Sequence, residues 1–130
     1  MCPKDDYFVL KPKHSGFYCT SLELLLQHLG AKNLILTGLA GNNCVLFTAN
    51  DAYMRDFKLF VPTDCVVSQT KEENEYALNQ MEKVLKADIK PSTELNLEAM
   101  KTGADSPQIA PSPQAKFKKT STRDRLGSSG

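Results

Sequence analysis

Asn33-Leu34-Ile35-Leu36-Thr37-Gly38-Leu39-Ala40-Gly41-Asn42-Asn43-Cys44-Val45 decides the architecture of this 130-residue chain. Its first half is an apolar run of strand length without alternation, the pattern of a parallel strand covered on both faces. A glycine-containing turn follows, and a helix is expected from about residue 43 to about residue 55. The turn delivers Cys44 into the first turn of that helix. A thiol there meets the positive end of the macrodipole and unpaired amides, which favour the thiolate and can receive a developing oxyanion. Strand, turn, nucleophile and helix have the mechanics of a nucleophile elbow built from different residues. The same position also suits a buried structural cysteine, and the residues alone leave both readings open.

Working outward, Tyr7-Phe8-Val9-Leu10 reads as a strand closed by Lys11-Pro12. A helix should follow, with Thr20-Ser21-Leu22-Glu23 as a capping box, Leu22, Leu25, Leu26 and Leu29 as its apolar stripe, and Gly30 as its left-handed stop. Downstream, Lys58-Leu59-Phe60-Val61-Pro62 is a third strand, residues 71–85 a third helix with Tyr76, Ala77, Met81, Val84 and Leu85 inward, and Ala87-Asp88-Ile89 a last short strand. Strands alternating with helices predict a three-layer α/β/α, Rossmann-like parallel sheet. Ligands of such sheets collect at the carboxyl ends of the strands, which points to the loops after Leu10, Thr37 and Val61. Lys11 stands in the first of these, where an ammonium aimed at the cleft would stabilise an anionic sulfur. His14, three residues on, is a candidate base, although a loop histidine is more often a plain hydrogen-bonding residue. Asp5 and Asp6 fall at the opposite end of their strand.

Composition narrows the function classes. No apolar run approaches the ~18 residues of a membrane span, and the amino terminus lacks the basic-then-apolar order of a secretory signal, so the expected location is the cytoplasm. A net charge of +1 gives no whole-molecule field for nucleic acid or acidic membranes, and neither is an expected partner. The cysteines at 2, 19, 44 and 65 show no CxxC spacing and only two histidines accompany them, which argues against a zinc site and a disulfide framework; no cofactor is expected, and the residues, which form no ligand cluster, leave metal use undecided. Residues 1–90 carry nearly all the large apolar side chains and form the expected domain. Residues 91–103 read as a short helical or irregular extension, and 104–130, rich in Pro and Ser with basic residues between Lys116 and Arg125, as a disordered tail.

Two stretches resemble the isochorismatase-like cysteine hydrolases, the family of isochorismatase, nicotinamidase and N-carbamoylsarcosine amidohydrolase. The run from Lys11 through Ser15-Gly16-Phe17-Tyr18-Cys19-Thr20 is similar to the family's lysine segment, and Gly38-Leu39-Ala40-Gly41-Asn42-Asn43-Cys44-Val45 to its nucleophile segment. The resemblance continues through Val61-Pro62-Thr63-Asp64 to about residue 90. It implies Cys44 as nucleophile, Lys11 as the triad lysine, the backbone amides of Ala40 and Cys44 as the oxyanion hole, and a cis peptide at Leu39–Ala40. It also marks departures. Gly41 stands where the family usually has Thr, which should loosen the turn; Cys19 stands where it usually has Gly; and Asp56 replaces the Gly that commonly ends the second helix.

The family's general-base aspartate lies on a strand before the lysine segment and has no counterpart here; Asp64 fits a structural loop residue better than a surrogate. In the family's strand order, 3-2-1-4-5-6, this chain supplies strands 3 to 6 and lacks the first two, which should leave the edge at Leu34–Leu36 open. An incomplete product, a partner or second copy completing the sheet, or direct closure of the first strand on the second would each answer this. Two functions follow from the resemblance: a hydrolase cleaving an amide C–N bond or a vinyl ether of a small molecule, or an inactive remnant acting as an interaction module.

Overall fold

The computed structural model describes residues 6–102; the expected tail, 104–130, and Cys2, Asp5 lie outside them. Parallel strands alternate with helices, the α/β arrangement expected. Helix α1 is Leu22–His28, strand β1 Asn33–Ile35, strand β2 Gly38–Leu39, then a π-helical turn Gly41–Val45 runs into α2, Leu46–Met54. Strand β3 is Lys58–Phe60, and a 3-10 turn at Thr63–Cys65 leads to β4, Val66–Val67. Helix α3 spans Lys71–Leu85, with a 3-10 turn at Ser92–Glu94 and α4 at Leu97–Thr102 closing the described chain. β1 pairs β3 in parallel, Leu34 opposite Leu59, and β2 pairs β4 in parallel, Gly38 opposite Val66. The last short strand is reduced to one parallel bridge between Phe60 and Asp88.

The first expected strand is absent. Tyr7, Phe8 and Leu10 form no ladder, and Leu10 is 94% exposed. An extended apolar run becomes a strand only beside another, and among the described residues none lies next to it. Closure of this segment directly on β1 is therefore not what the chain does. β1 in turn is covered less than its sequence predicts, with Ile35 exposed and its second edge unpaired among the described residues.

The core gathers Phe17, Val45, Ala49, Ala52, Leu59, Val61, Val66, Ala77, Leu78, Met81 and Leu85. Ala49, Ala52 and Ala77 are fully buried where α2 meets α3, small side chains that let the two helices approach closely. α3 has the expected bounds but a rotated face: Leu78 is buried, whereas Tyr76 and Val84 are exposed. Periodicity allows either stripe, and the one carrying Ala77 and Met81 with Leu78 meets α2.

Capping is also redistributed. Thr20 makes no capping box; its hydroxyl donates to the Gly16 carbonyl and accepts from the Leu22 amide, while Glu23 turns to Arg55. The real box starts α3, where the Glu73 amide donates to Thr70 Oγ1 at 3.2 Å and the Thr70 amide to Glu73 Oε2 at 3.3 Å. Thr70→Ala should lower stability by about 1 kcal/mol, read as a reduced denaturation midpoint. α1 does end at Gly30, φ +64°, with the Ala31 amide bonded back to the Leu26 carbonyl at 3.0 Å. α2 ends in the same way through Asp56, φ +64°, with Phe57 N on Ala52 O at 3.1 Å, at the roughly 1 kcal/mol that a side chain costs there.

Asp64 ties the closing segment to the domain. Its carboxylate accepts from the Ser92 hydroxyl at 2.6 Å and the Ser92 amide at 2.7 Å. These two bonds, the hydroxyl's first, hold the Asp64 pKa below the ordinary carboxylate value. Because the folded value is depressed, the tether is at full strength above the ordinary carboxylate range and is lost as pH falls through the lowered value. Amide exchange at Ser92 should accelerate on that acid limb, and Asp64→Asn should show the fast exchange already at neutral pH.

Candidate active site

Cys44 lies in the π-helical turn between β2 and α2. The Ala40 carbonyl accepts from Asn43 N at 3.0 Å and from Val45 N at 3.1 Å, the residues on either side of Cys44. The peptide between Leu39 and Ala40 is cis. On the other side of the sulfur stands the segment from Lys11 to Phe17. Lys11 Nζ lies 3.4 Å from Cys44 Sγ and also donates to the Lys13 carbonyl at 3.1 Å. His14 Nδ1 lies 3.9 Å from the same sulfur, its ring tilted against Phe47 of α2 with centroids 5.6 Å apart. Residues 30 and 33 positions away in sequence thus meet the sulfur together.

A network from α2 holds that segment in place, and sequence reasoning missed it. Thr48 Oγ1 donates to the Cys44 carbonyl at 2.7 Å and accepts from the Gly16 amide at 2.9 Å, bridging the two segments with one hydroxyl. The buried Ser15 hydroxyl donates to Asp51. One turn on, Arg55 pairs with Asp51 at 3.6 Å and donates to Glu23 at 2.8 Å, with its guanidinium 4.9 Å from the Phe17 ring centroid. The Glu23 hydrogen bond, above all, raises the Arg55 pKa. Asp51 and Arg55 stand four residues apart on α2, the spacing at which a helix brings opposite charges together, and the fold uses the pair as an anchor for Ser15.

The turn at Gly41 is not loose, contrary to expectation. The Ser68 hydroxyl accepts from the Asn42 amide at 3.1 Å and donates to Asn74 Oδ1 at 2.9 Å, while Asn74 Nδ2 donates to the Val66 carbonyl at 3.1 Å. These side chains occupy the place a larger residue 41 would take. Cys19 adopts φ +51°, the left-handed conformation for which glycine is favoured, and its side chain finds room by facing solvent. Among the described residues, no three His, Cys, Asp or Glu side chains gather as a metal-binding group.

Comparison with known proteins bears on this geometry. A family model described as Isochorismatase domain matches residues 2–89. The chain is 57% identical over 84 residues to the uncharacterized isochorismatase family protein YaaI of Bacillus subtilis, an overlap of 65% of this chain and 46% of that protein. Among solved structures, the nicotinamidase SaPncA of Staphylococcus aureus superposes with a TM-score of 0.63 at 30% identity, covering 64% of this chain and 52% of that one. N-carbamoylsarcosine amidase from Thermoplasma acidophilum gives 0.66 at 30% identity, covering 73% and 53%. The chain spans about half the length of these relatives. Since the matched residues take in both segments that meet at Cys44 and the turn that carries it, this chain belongs to the isochorismatase family.

Proposed function

We propose that the chain carries the nucleophile half of a cysteine hydrolase that cleaves an amide C–N bond, or a vinyl ether, of a small molecule. The observation that carries this is the 3.4 Å approach of the Lys11 ammonium to Cys44 Sγ. In the amide case the sulfur attacks the carbonyl carbon, and the amides of Ala40 and Cys44 donate to the developing oxyanion. The Lys11 ammonium stabilises the negative sulfur by charge and hydrogen bonding. The C–N bond breaks, the amine leaves, and water then cleaves the thioester. Both solved neighbours above are named as amidases, which favours the amide over the vinyl ether. The reaction needs a reduced thiol, which suits the cytoplasm.

Ammonia release from a panel of primary amides, with intact-mass detection of an acyl group on Cys44, tests the proposal. Turnover with a Cys44 adduct supports it; turnover without one transfers the chemistry to another residue and removes Cys44 from its role.

A second reading rests on the open edge of β1 and the exposed Tyr7, Phe8 and Leu10. Further strands, from a second copy or a partner, would pair there and complete the sheet. In its strongest form the chain is an inactive module whose work is that pairing. Sedimentation decides: a monomer that hydrolyses amides overturns the module reading, and a concentration-dependent assembly without hydrolysis overturns the enzyme reading.

A further inference from the structure

Lys11 and Cys44 can both act as nucleophiles, and hydrolysis uses only the sulfur as one. Lys11 Nζ lies 3.4 Å from Cys44 Sγ and is held by the Lys13 carbonyl at 3.1 Å. The segments that carry them are pinned together at two further points, through Thr48 on Gly16 and through Asp51 on Ser15. The approach is therefore set before any ligand arrives. Both side chains are reachable from solvent, Lys11 being exposed and Cys44 half-buried. An acyl carbon bonded to that sulfur would stand within the ~3–3.5 Å of a near-attack geometry for the nitrogen. The two atoms differ as acyl carriers: a thioester exchanges readily, whereas an amide persists.

We propose that Lys11 is a self-acylation site, taking its acyl group from Cys44 when the chain meets a small acyl thioester. This needs only that Cys44 accepts the acyl group, and it holds whether or not the chain hydrolyses amides. The Cys44 thiolate attacks the carbonyl carbon of the donor, the donor's C–S bond breaks, and the donor sulfur leaves with the electron pair. The acyl group is now a thioester on Sγ. The uncharged form of Lys11 attacks that carbon with its lone pair, the bond to Sγ breaks, and the sulfur keeps its electrons. Nζ releases one proton, which the donor thiolate takes up through water. The products are a secondary amide on Lys11, a free thiol and a regenerated Cys44, with nothing oxidised or reduced. For any lysine the uncharged form is a small fraction near neutral pH, and fixed geometry offsets this, since oriented neighbours react at effective concentrations of about 10⁵ M or more. The amide carries no charge, so the modification removes the cation beside the sulfur and the site silences itself.

The test treats the full chain with the N-acetylcysteamine thioester of acetic acid at about pH 8.5, where more of the lysine is uncharged. Hydroxylamine then removes acetyl from sulfur and leaves it on nitrogen, and mass spectrometry locates what remains. Lys71, whose side chain is 86% exposed, reports acetylation straight from solution. Lys11 should gain stable acetyl at least about tenfold faster than Lys71. Cys44→Ala should bring Lys11 down to the Lys71 rate, and prior iodoacetamide labelling of Cys44 in the parent should do the same without a substitution. Lys11→Arg should leave the acetyl on Cys44, where hydroxylamine removes it. A parent Lys11 no faster than Lys71, a fast Lys11 in Cys44→Ala or in the alkylated chain, or an unacetylated Cys44 in Lys11→Arg would overturn the proposal. Amide turnover by the same preparations keeps the two readings apart. Fast Lys11 acetylation without turnover removes the hydrolase reading alone, and turnover with Lys11 at the Lys71 rate removes this proposal alone.

Discussion

Lys11→Met should lower kcat/KM on any amide the parent chain hydrolyses by about a hundred- to a thousandfold, the usual loss when one preorganised electrostatic donor is removed. The ammonium sits 3.4 Å from Cys44 Sγ and is held there by its 3.1 Å bond to the Lys13 carbonyl, so its charge is directed at the sulfur before substrate arrives. Lys11 is exposed, and methionine keeps most of its stem. The denaturation midpoint should therefore change by no more than an exposed substitution ordinarily does, about 0.5 kcal/mol. Lys11→Arg should recover only part of the loss, because a planar fork cannot place a compact charge against both the sulfur and the Lys13 carbonyl. Cys44→Ala should be worse than either, and adding Lys11→Met to it should cost nothing further, since groups that act as one unit are not additive. Unchanged kcat/KM in Lys11→Met, or losses that multiply in the double variant, would show that the lysine does not act through this sulfur.

How much of this was legible in the sequence depends on whether a feature is local. α3 was readable to the residue because its signals lie within Lys71–Leu85 and its flanks. Its buried face was not, because the choice between Tyr76 and Leu78 is made by α2. Thr20-Ser21-Leu22-Glu23 and Thr70-Lys71-Glu72-Glu73 are equivalent as capping boxes on paper. Only the second forms, since the first loses Glu23 to Arg55, 32 positions away, and its hydroxyl to the Gly16 carbonyl. Tyr7-Phe8-Val9-Leu10 has strand composition but no strand neighbour among the described residues, and composition carries no information about neighbours. At the site, the chemical types of Cys44 and Lys11 singled them out, whereas Ser15, Thr48, Ser68 and Asn74 are ordinary polar residues whose work exists only in three dimensions.

Gly41→Thr, which installs the residue usual in the family, should damage this chain rather than improve it. A Cβ on Gly41 would stand 2.6 Å from Asn74 Oδ1, 2.6 Å from Val66 Cγ1 and 2.9 Å from Ser68 Oγ, closer than carbon tolerates. Two of these neighbours cannot easily retreat: Val66 is buried and belongs to β4, paired with β2, and Asn74 sits on α3, fixed through buried Ala77 and Leu78. The turn is left to move. Overpacking of this kind costs about 1–3 kcal/mol, which in a domain of this size lowers Tm by about 4–8 °C per kcal/mol. The displaced turn also breaks the 3.1 Å bond from Asn42 N to Ser68 and carries Cys44 away from Lys11, so labelling of Cys44 should slow by more than the small unfolded fraction explains. Asn74→Ala in the Gly41→Thr chain should restore part of the stability while lowering it in the parent, where it removes the bonds to Ser68 and the Val66 carbonyl. That change of sign is the signature of a shared space, measured as a coupling energy in a double-mutant cycle. An unchanged Tm in Gly41→Thr would mean that the turn yields freely, and Ser68 and Asn74 would then have no part in holding the sulfur where Lys11 and His14 reach it.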